Sequence, residues 1–352
     1  MTTHPAHHPE PSTPSLPTLI FIPGAWHLPA CYGPIIHLLS TKHNFRCVPI
    51  TLPSTQGDPC ATFKDDLDAT RVAIAAETSA GKDVVLIAHS YGGMVANSAI
   101  KGFAKRDGRD HRPPAAAAEA YPAASPNATG PPAGPGHITG LILIASGFTL
   151  SGLTFMAPLF NRPPPAWKAN WSTGFADLAL SPQALFYHDL ATSEEQDYWA
   201  SQLTPQSLKA LFEGAEHSYA GWRDLDLAWY VGTEADKGLP AWVQRFGVGV
   251  ARGMGPTKVR HVELIGSSHS PFLSRPGEVT ELVMEAVGSF GFAVDTDDAK
   301  ETAAVAVRTE LVVWPACRLW EPTTWFKFGV PLTLGRVVGW ATAGFLWMRG
   351  GW

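Results

Sequence analysis

An apolar run, Val84-Val85-Leu86-Ile87, leads straight into Ala88-His89-Ser90-Tyr91-Gly92-Gly93. A short run of this kind, followed by small residues, reads as a buried strand, a sharp turn and the start of a helix. The motif is G-x-S-x-G with Ala88 at its first glycine position. Such a turn holds one serine above the end of a sheet, in a strained backbone conformation. Its small neighbours let the helix pack close to the strand. Alanine is the smallest substitute for glycine, and Gly92 and Gly93 are retained. A strand that feeds a helix in this way belongs in a parallel sheet, where neighbouring strands need crossover connections.

A serine hydroxyl is a weak nucleophile near neutral pH. It needs a base to take its proton, and the base needs a carboxylate to hold its tautomer and stabilise its charge. The base is read at His269. Val259–Ile265 has the pattern of a strand, Gly266-Ser267-Ser268-His269 follows it, and Pro276-Gly277-Glu278 opens an amphipathic helix. His269 therefore lies just beyond the C-terminal end of a strand, where open α/β sheets place their chemistry. Leu227–Val231 reads as the strand before it, followed by Gly232-Thr233-Glu234-Ala235-Asp236-Lys237-Gly238-Leu239-Pro240. Glu234 and Asp236 are both in reach of the acid position. Asp236 is preferred because it directly precedes the turn into a helix starting near Pro240, although a carboxylate there also serves as a helix cap.

An acyl-transfer site also needs donors for the developing oxyanion. Leu19–Ile22 is a short apolar strand followed by Pro23-Gly24-Ala25-Trp26-His27. Gly24 lets the backbone approach a bound ester. The N–H of Ala25 (or Trp26) and that of Tyr91, the residue after the serine, are the expected donors.

With these stretches in place, the chain resembles the α/β-hydrolases, in the branch of plant methyl esterases and hydroxynitrile lyases and their fungal and bacterial relatives. The matching segments are 21–27, the serine turn at 88–93, 236–240 and 269–276, and the resemblance spans about residues 18–292. It implies an α/β-hydrolase fold: a mostly parallel sheet flanked by helices, with a helical cap inserted after the sixth core strand. It implies a serine hydrolase with Ser90, Asp236 and His269 as triad and Ala25 and Tyr91 as oxyanion donors. The substrate is then a small-molecule ester, small to medium in size, with no metal or organic cofactor. The lyases of this branch carry a lysine directly after the catalytic histidine. Ser270 stands there in this chain, which favours ester cleavage. A ligand sensor on the same scaffold and a C–C hydrolase or lyase are the alternatives.

Strand and helix signals alternate through residues 18–103. Residues 104–137 are dominated by Ala, Pro and Gly and read as a flexible surface insertion. Residues 147–223 are rich in aromatic residues and carry helical stretches, so they are read as the cap, with some rings roofing Ser90. Residues 1–17, with His4, His7 and His8 among prolines, read as a disordered N-terminal tail.

The net charge of -5, without a basic stripe, argues against nucleic-acid binding. Four scattered cysteines and no secretory signal pattern point to the cytoplasm. Residues 293–352 form a C-terminal extension with tryptophans at 314, 320 and 325 and an apolar stretch from Val330 to Met348. Arg336 interrupts it, and the uncharged part is too short for a standard membrane span. Three readings compete: a helix packed on the domain, a membrane-interfacial anchor through residues 314–352, or an extension without a selected role.

Overall fold

The computed structural model describes residues 15–105, 135–294 and 311–349. The chain enters the sheet with β1 (Thr18–Ile22) and continues through α1 (Gly33–His43), β2 (Cys47–Pro49), α2 (Phe63–Ser79), β3 (Val84–His89), α3 (Gly92–Ala99) and β4 (Ile138–Ile144). The cap follows, with β5 (Trp167–Asn170), β6 (Phe175–Leu178), α4 (Pro182–Phe186), α5 (Ser193–Ser201), β7 (Gln206–Ser207) and α6 (Leu208–Phe212). The sheet resumes with β8 (Leu227–Thr233), α7 (Ala241–Met254), β9 (Lys258–Leu264) and α8 (Pro276–Ser289). The extension adds β10 (Val312–Val313) and α9 (Val330–Met348).

Among the described residues, seven strands form one sheet in the order β10-β9-β8-β4-β3-β1-β2. Every pairing in it is parallel except β10 with β9. Side-chain alternation divides each strand between two cores. Ile20, Leu86, Leu143 and Tyr230 point to one side, against α2, α3 and α7. Leu19, Ile87, Ile144 and Val231 point to the other, against α1 and α8. A sheet covered on both faces needs apolar residues at both parities, which is why β1 and β3 read as unbroken apolar runs.

The cap departs from expectation in two ways. It leaves the sheet after β4, the fourth strand among the described residues, rather than after a sixth. It is also not purely helical: β5, β6 and β7 form a small antiparallel sheet beside its short helices. The β5–β6 hairpin turns at Gly174, whose φ of 79° suits glycine. Trp167 and Phe175, among the aromatic residues of this region, belong to strands.

Most of the insertion expected at 104–137 lies outside the described residues. The described ends of the insertion are anchored: Ala104 bridges Ile138 of β4, and Gly136 N–H donates to Thr78 O of α2 at 2.9 Å. Most of the N-terminal tail is likewise undescribed, but Leu16, within the expected 1–17, already packs on the core.

Of the three readings of the extension, its described residues 311–349 show a segment packed on the sheet domain. β10 pairs with the edge strand β9, and Trp314 meets Trp229 edge-on with ring centroids 5.8 Å apart. Helix α9 crosses α7 at glycines on both sides. A Cβ on Gly253 would lie 2.3 Å from Arg336 O, and one on Gly335 would lie 2.2 Å from Phe246 O. Gly249-x-x-x-Gly253 and Gly335-x-x-x-Gly339 thus let the two backbones touch. The buried Arg245 guanidinium grips both carboxylate oxygens of Glu263 at 2.8 and 2.7 Å. It also donates to Lys327 O at 2.7 Å and lies 4.2 Å from the Phe328 ring centre.

Truncation after residue 294 is therefore expected to lower the melting temperature by at least about 5 °C or to prevent soluble folding, because it bares the glycine-lined face of α7. A thermal melt unchanged by truncation would show that the extension does not support the domain.

Candidate active site

The turn after β3 has the conformation its sequence implies. Ser90 sits at φ 50°, in the left-handed region that an L-residue avoids without compensation. The compensation is a set of backbone anchors. Ser90 N–H donates to Ile144 O at 3.2 Å, and Ser90 O accepts from Gly93 N–H at 3.0 Å and from Ser146 Oγ at 2.6 Å. Gly92 admits the helix: a Cβ there would lie 2.3 Å from Pro23 O. Gly24 packs as tightly from the first loop, where a Cβ would lie 2.9 Å from Ser90 Cβ and 2.8 Å from His89 Nδ1.

His269 reaches the same place from the loop after β9. Its carbonyl accepts from His89 Nε2 at 2.9 Å, and the two rings lie 4.5 Å apart. This ties the histidine loop to the residue before Ser90. His269 Nδ1 lies 2.7 Å from Asp236 Oδ2. A carboxylate only accepts, so Nδ1 is the donor, and in the neutral ring Nε2 is the nitrogen with the lone pair. Among the described residues, no hydrogen bond joins Ser90 Oγ to Nε2. Contacts of this kind are often loose until substrate binds.

Asp236 is held from all sides. Its Oδ1 accepts from the N–H groups of Gly238 and Leu239 at 2.8 and 2.7 Å, and its Oδ2 from Thr233 Oγ1 at 2.7 Å and Gln244 Nε2 at 3.0 Å. It therefore orders the turn into α7 and also meets His269. Glu234 points elsewhere. Its carboxylate accepts from Gly266 N–H at 3.2 Å and stands 3.7 Å from Lys327 Nζ.

Ala25 and Tyr91 are buried, and neither backbone N–H has a protein acceptor among the described residues. Trp26 N–H, the alternative donor, is taken up by Gln206 Oε1 at 3.4 Å. The position of Tyr91 is fixed from behind by a network that the sequence reading did not include. Tyr91 OH donates to Asp66 at 2.7 Å, and Asp66 also accepts from Ser54 N–H at 2.8 Å and Ser54 Oγ at 2.6 Å. Burial pushes the Asp66 carboxyl up to about 6, against the hydrogen bonds that favour its ionised form.

The cap is pinned to both loops of the site. His27 Nδ1–H donates to Ala25 O at 2.7 Å, so Nε2 accepts from the cap residue Tyr187 at 2.9 Å. Trp26 Nε1–H donates to Ala176 O at 2.8 Å, and Ser268 Oγ donates to Phe186 O at 2.8 Å. Phe186 lies 5.4 Å from the His269 ring, and Phe155 lies 5.3 Å from Tyr91. Aromatic cap residues thus contact the rings of His269 and Tyr91. His27, His89, Thr233 and Gln244 were not identified as site residues from sequence. His27 and His89 stood inside the motifs, and their neighbours in the fold supply their roles.

Burial lowers His27 from 6.5 to about 4 and places His89 well below 6.5. Both imidazoles stay neutral in the fold but protonate freely in the unfolded chain, which then binds more protons between about pH 4 and 6.5. Their contribution to stability is present above pH 6.5 and is lost as pH falls. Asp66 has the opposite sign, since its raised value costs stability as pH rises from about 4 to 6. The lowered His261, Glu263, Glu77 and Asp65 act in the same direction as the two imidazoles. The melting temperature is expected to drop by several degrees from pH 6.5 to 4, and less steeply in His27→Gln. A flat profile, or one rising toward pH 4, contradicts these assignments.

Comparison with known proteins agrees with this geometry. A model described as the alpha/beta hydrolase family matches residues 19–282. The chain is 26% identical over 277 residues to alpha/beta hydrolase nvfD of Aspergillus novofumigatus, covering 77% of this chain and 97% of that one. Among solved structures it is similar to polyneuridine aldehyde esterase, with TM-score 0.55 and 16% identity over 77% of this chain and 99% of the other. It is also similar to tomato methylketone synthase I complexed with 2-tridecanone, with TM-score 0.57 and 13% identity over 78% of this chain and 99% of the other. At these identities the solved structures bear on the fold. The family match covers most of the chain, and with the serine turn, the histidine loop and the sheet order it makes this protein an enzyme of the alpha/beta hydrolase family.

Proposed function

We propose that the chain is a serine hydrolase that cleaves a small to medium carboxylic ester, or a related acyl compound, through an acyl-enzyme. The observation that carries this reading is the 2.7 Å pair of His269 Nδ1 and Asp236 Oδ2, set beside a serine held at φ 50°. Ser90 Oγ attacks the carbonyl carbon while His269 Nε2 takes its proton. Asp236 stabilises the imidazolium that forms. The unpaired N–H groups of Ala25 and Tyr91 receive the tetrahedral oxyanion. His269 then protonates the leaving alcohol, and later activates the water that releases the acid. The rings of Phe155 and Phe186 favour an ester with an apolar or aromatic part and keep bulk water from the acylated serine. Four unpaired cysteines suit a cytoplasmic enzyme.

A panel of p-nitrophenyl esters of graded chain length tests the reading, with amides and lactones beside it. The expected result is repeated turnover, fastest on an ester among the three classes. A single stoichiometric release with the acyl group retained would replace the enzyme reading with that of a covalent sensor.

A further inference from the structure

Helix α9 is apolar around nearly its whole circumference. Its glycine face is spent on α7. The opposite face carries Leu334, Val337 and Met348, and Trp347 lies at its edge; all four are exposed. Trp320 and Phe326, from the segment leading into the helix, are 78% and 79% exposed. A monomer rarely leaves so many large apolar groups of one chain segment in water, so this segment is built to be covered.

The charges around it identify the cover. Residues 311–349 hold four basic residues (Arg318, Lys327, Arg336 and Arg349) and one acidic residue, Glu321, in a chain of net charge -5. By helical periodicity Arg336 and Arg349 emerge on opposite shoulders of the apolar stripe. Their guanidinium groups lie 5.3 Å from the ring centres of Trp340 and Phe345. Arg318 is paired with Glu321 at 3.2 Å and Lys327 stands 3.7 Å from Glu234, so Arg336 and Arg349 are the charges left to face a cover, and a second copy seated there would add like charge. An anionic surface pairs with them. Tryptophan and phenylalanine beside arginine is also the composition that settles at lipid headgroups. Among the described residues, no helix is long and apolar enough to cross a membrane.

We propose that the outer face of α9, with Trp320 and Phe326, docks this hydrolase on the surface of a bilayer rich in anionic lipids. The helix lies in the plane of the interface, its glycine face on the enzyme and its aromatic face in the headgroup region. Docking leaves the triad intact, so it stands or falls separately from the esterase reading.

The test is flotation of the full chain with phosphatidylcholine vesicles, with and without phosphatidylserine. The expected result is co-flotation with the phosphatidylserine vesicles, weakened by high salt. Trp320→Ser/Trp347→Ser is expected to lower the partition coefficient roughly tenfold or more. Arg336→Gln/Arg349→Gln is expected to lower it by a similar factor, mainly on the anionic vesicles. All four side chains are largely exposed, and an unchanged circular dichroism spectrum and melting temperature would show that the variants fold. The proposal is overturned if the chain does not float with either vesicle, or floats equally with both. It is also overturned if sedimentation shows a dimer that the tryptophan substitutions dissociate, since a second copy would then cover the face.

Discussion

Replacing Ser90 by alanine is expected to lower kcat/KM on the best p-nitrophenyl ester by about 10⁶-fold, the scale on which loss of a triad nucleophile acts. A fluorophosphonate mimics the tetrahedral state and reacts only with an activated serine. It should label the wild-type chain on the peptide bearing Ser90 and leave Ser90→Ala unlabelled. The fold should tolerate the change well. The turn is held by main-chain contacts to Ile144 and Gly93 and by Ser146 Oγ on the Ser90 carbonyl, none of which uses the Ser90 hydroxyl. Labelling at another residue, or turnover that survives the substitution, would remove Ser90 from the mechanism.

Asp236→Asn is expected to cost roughly 10³–10⁴-fold in turnover. An amide nitrogen facing His269 Nδ1 favours the tautomer with its proton on Nε2, where it cannot take one from Ser90. Asp236 Oδ1 also orders the turn at Gly238 and Leu239, so the variant's melting temperature must be measured beside its rate. Glu234→Gln is the control for the other candidate acid. That carboxylate faces Gly266 and Lys327, away from His269, and its loss should change turnover by less than about threefold, as for a surface pair. A large effect at Glu234 with a small one at Asp236 would exchange their roles.

The contrast between these two carboxylates shows where sequence reasoning stops. They stand two residues apart in one loop, and both follow the same strand. Residue spacing does not say which one turns inward. The fold does, by registering Thr233 of β8 against Leu264 of β9 and by bringing Gln244 of α7 onto Asp236 Oδ2. Ser90 and His269 were easier to read, because each follows an apolar run that codes for a strand and ends in a loop of small residues. The cap was harder. Trp167–Asn170 and Phe175–Leu178 are four-residue strands, too short for a period of two to stand out from a helical pattern.

The extension follows the same division. Its apolar stretch and the interruption at Arg336 are legible in one dimension, and Val330–Met348 does form a helix. The spacing of Gly335 and Gly339 is also visible, as is that of Gly249 and Gly253. That these two pairs meet is not visible, nor that Arg245 leaves its guanidinium between Glu263 and Lys327 O. Local order along this chain comes from interactions within a few residues: apolar periodicity, small residues at turns, and a serine that only a tight turn can present. Which carboxylate faces the histidine, which imidazoles are kept neutral and which side of the last helix is left bare depend on groups far apart in sequence. Their contacts, and the burial that sets their charge states, exist only once the sheet and its covering helices have closed.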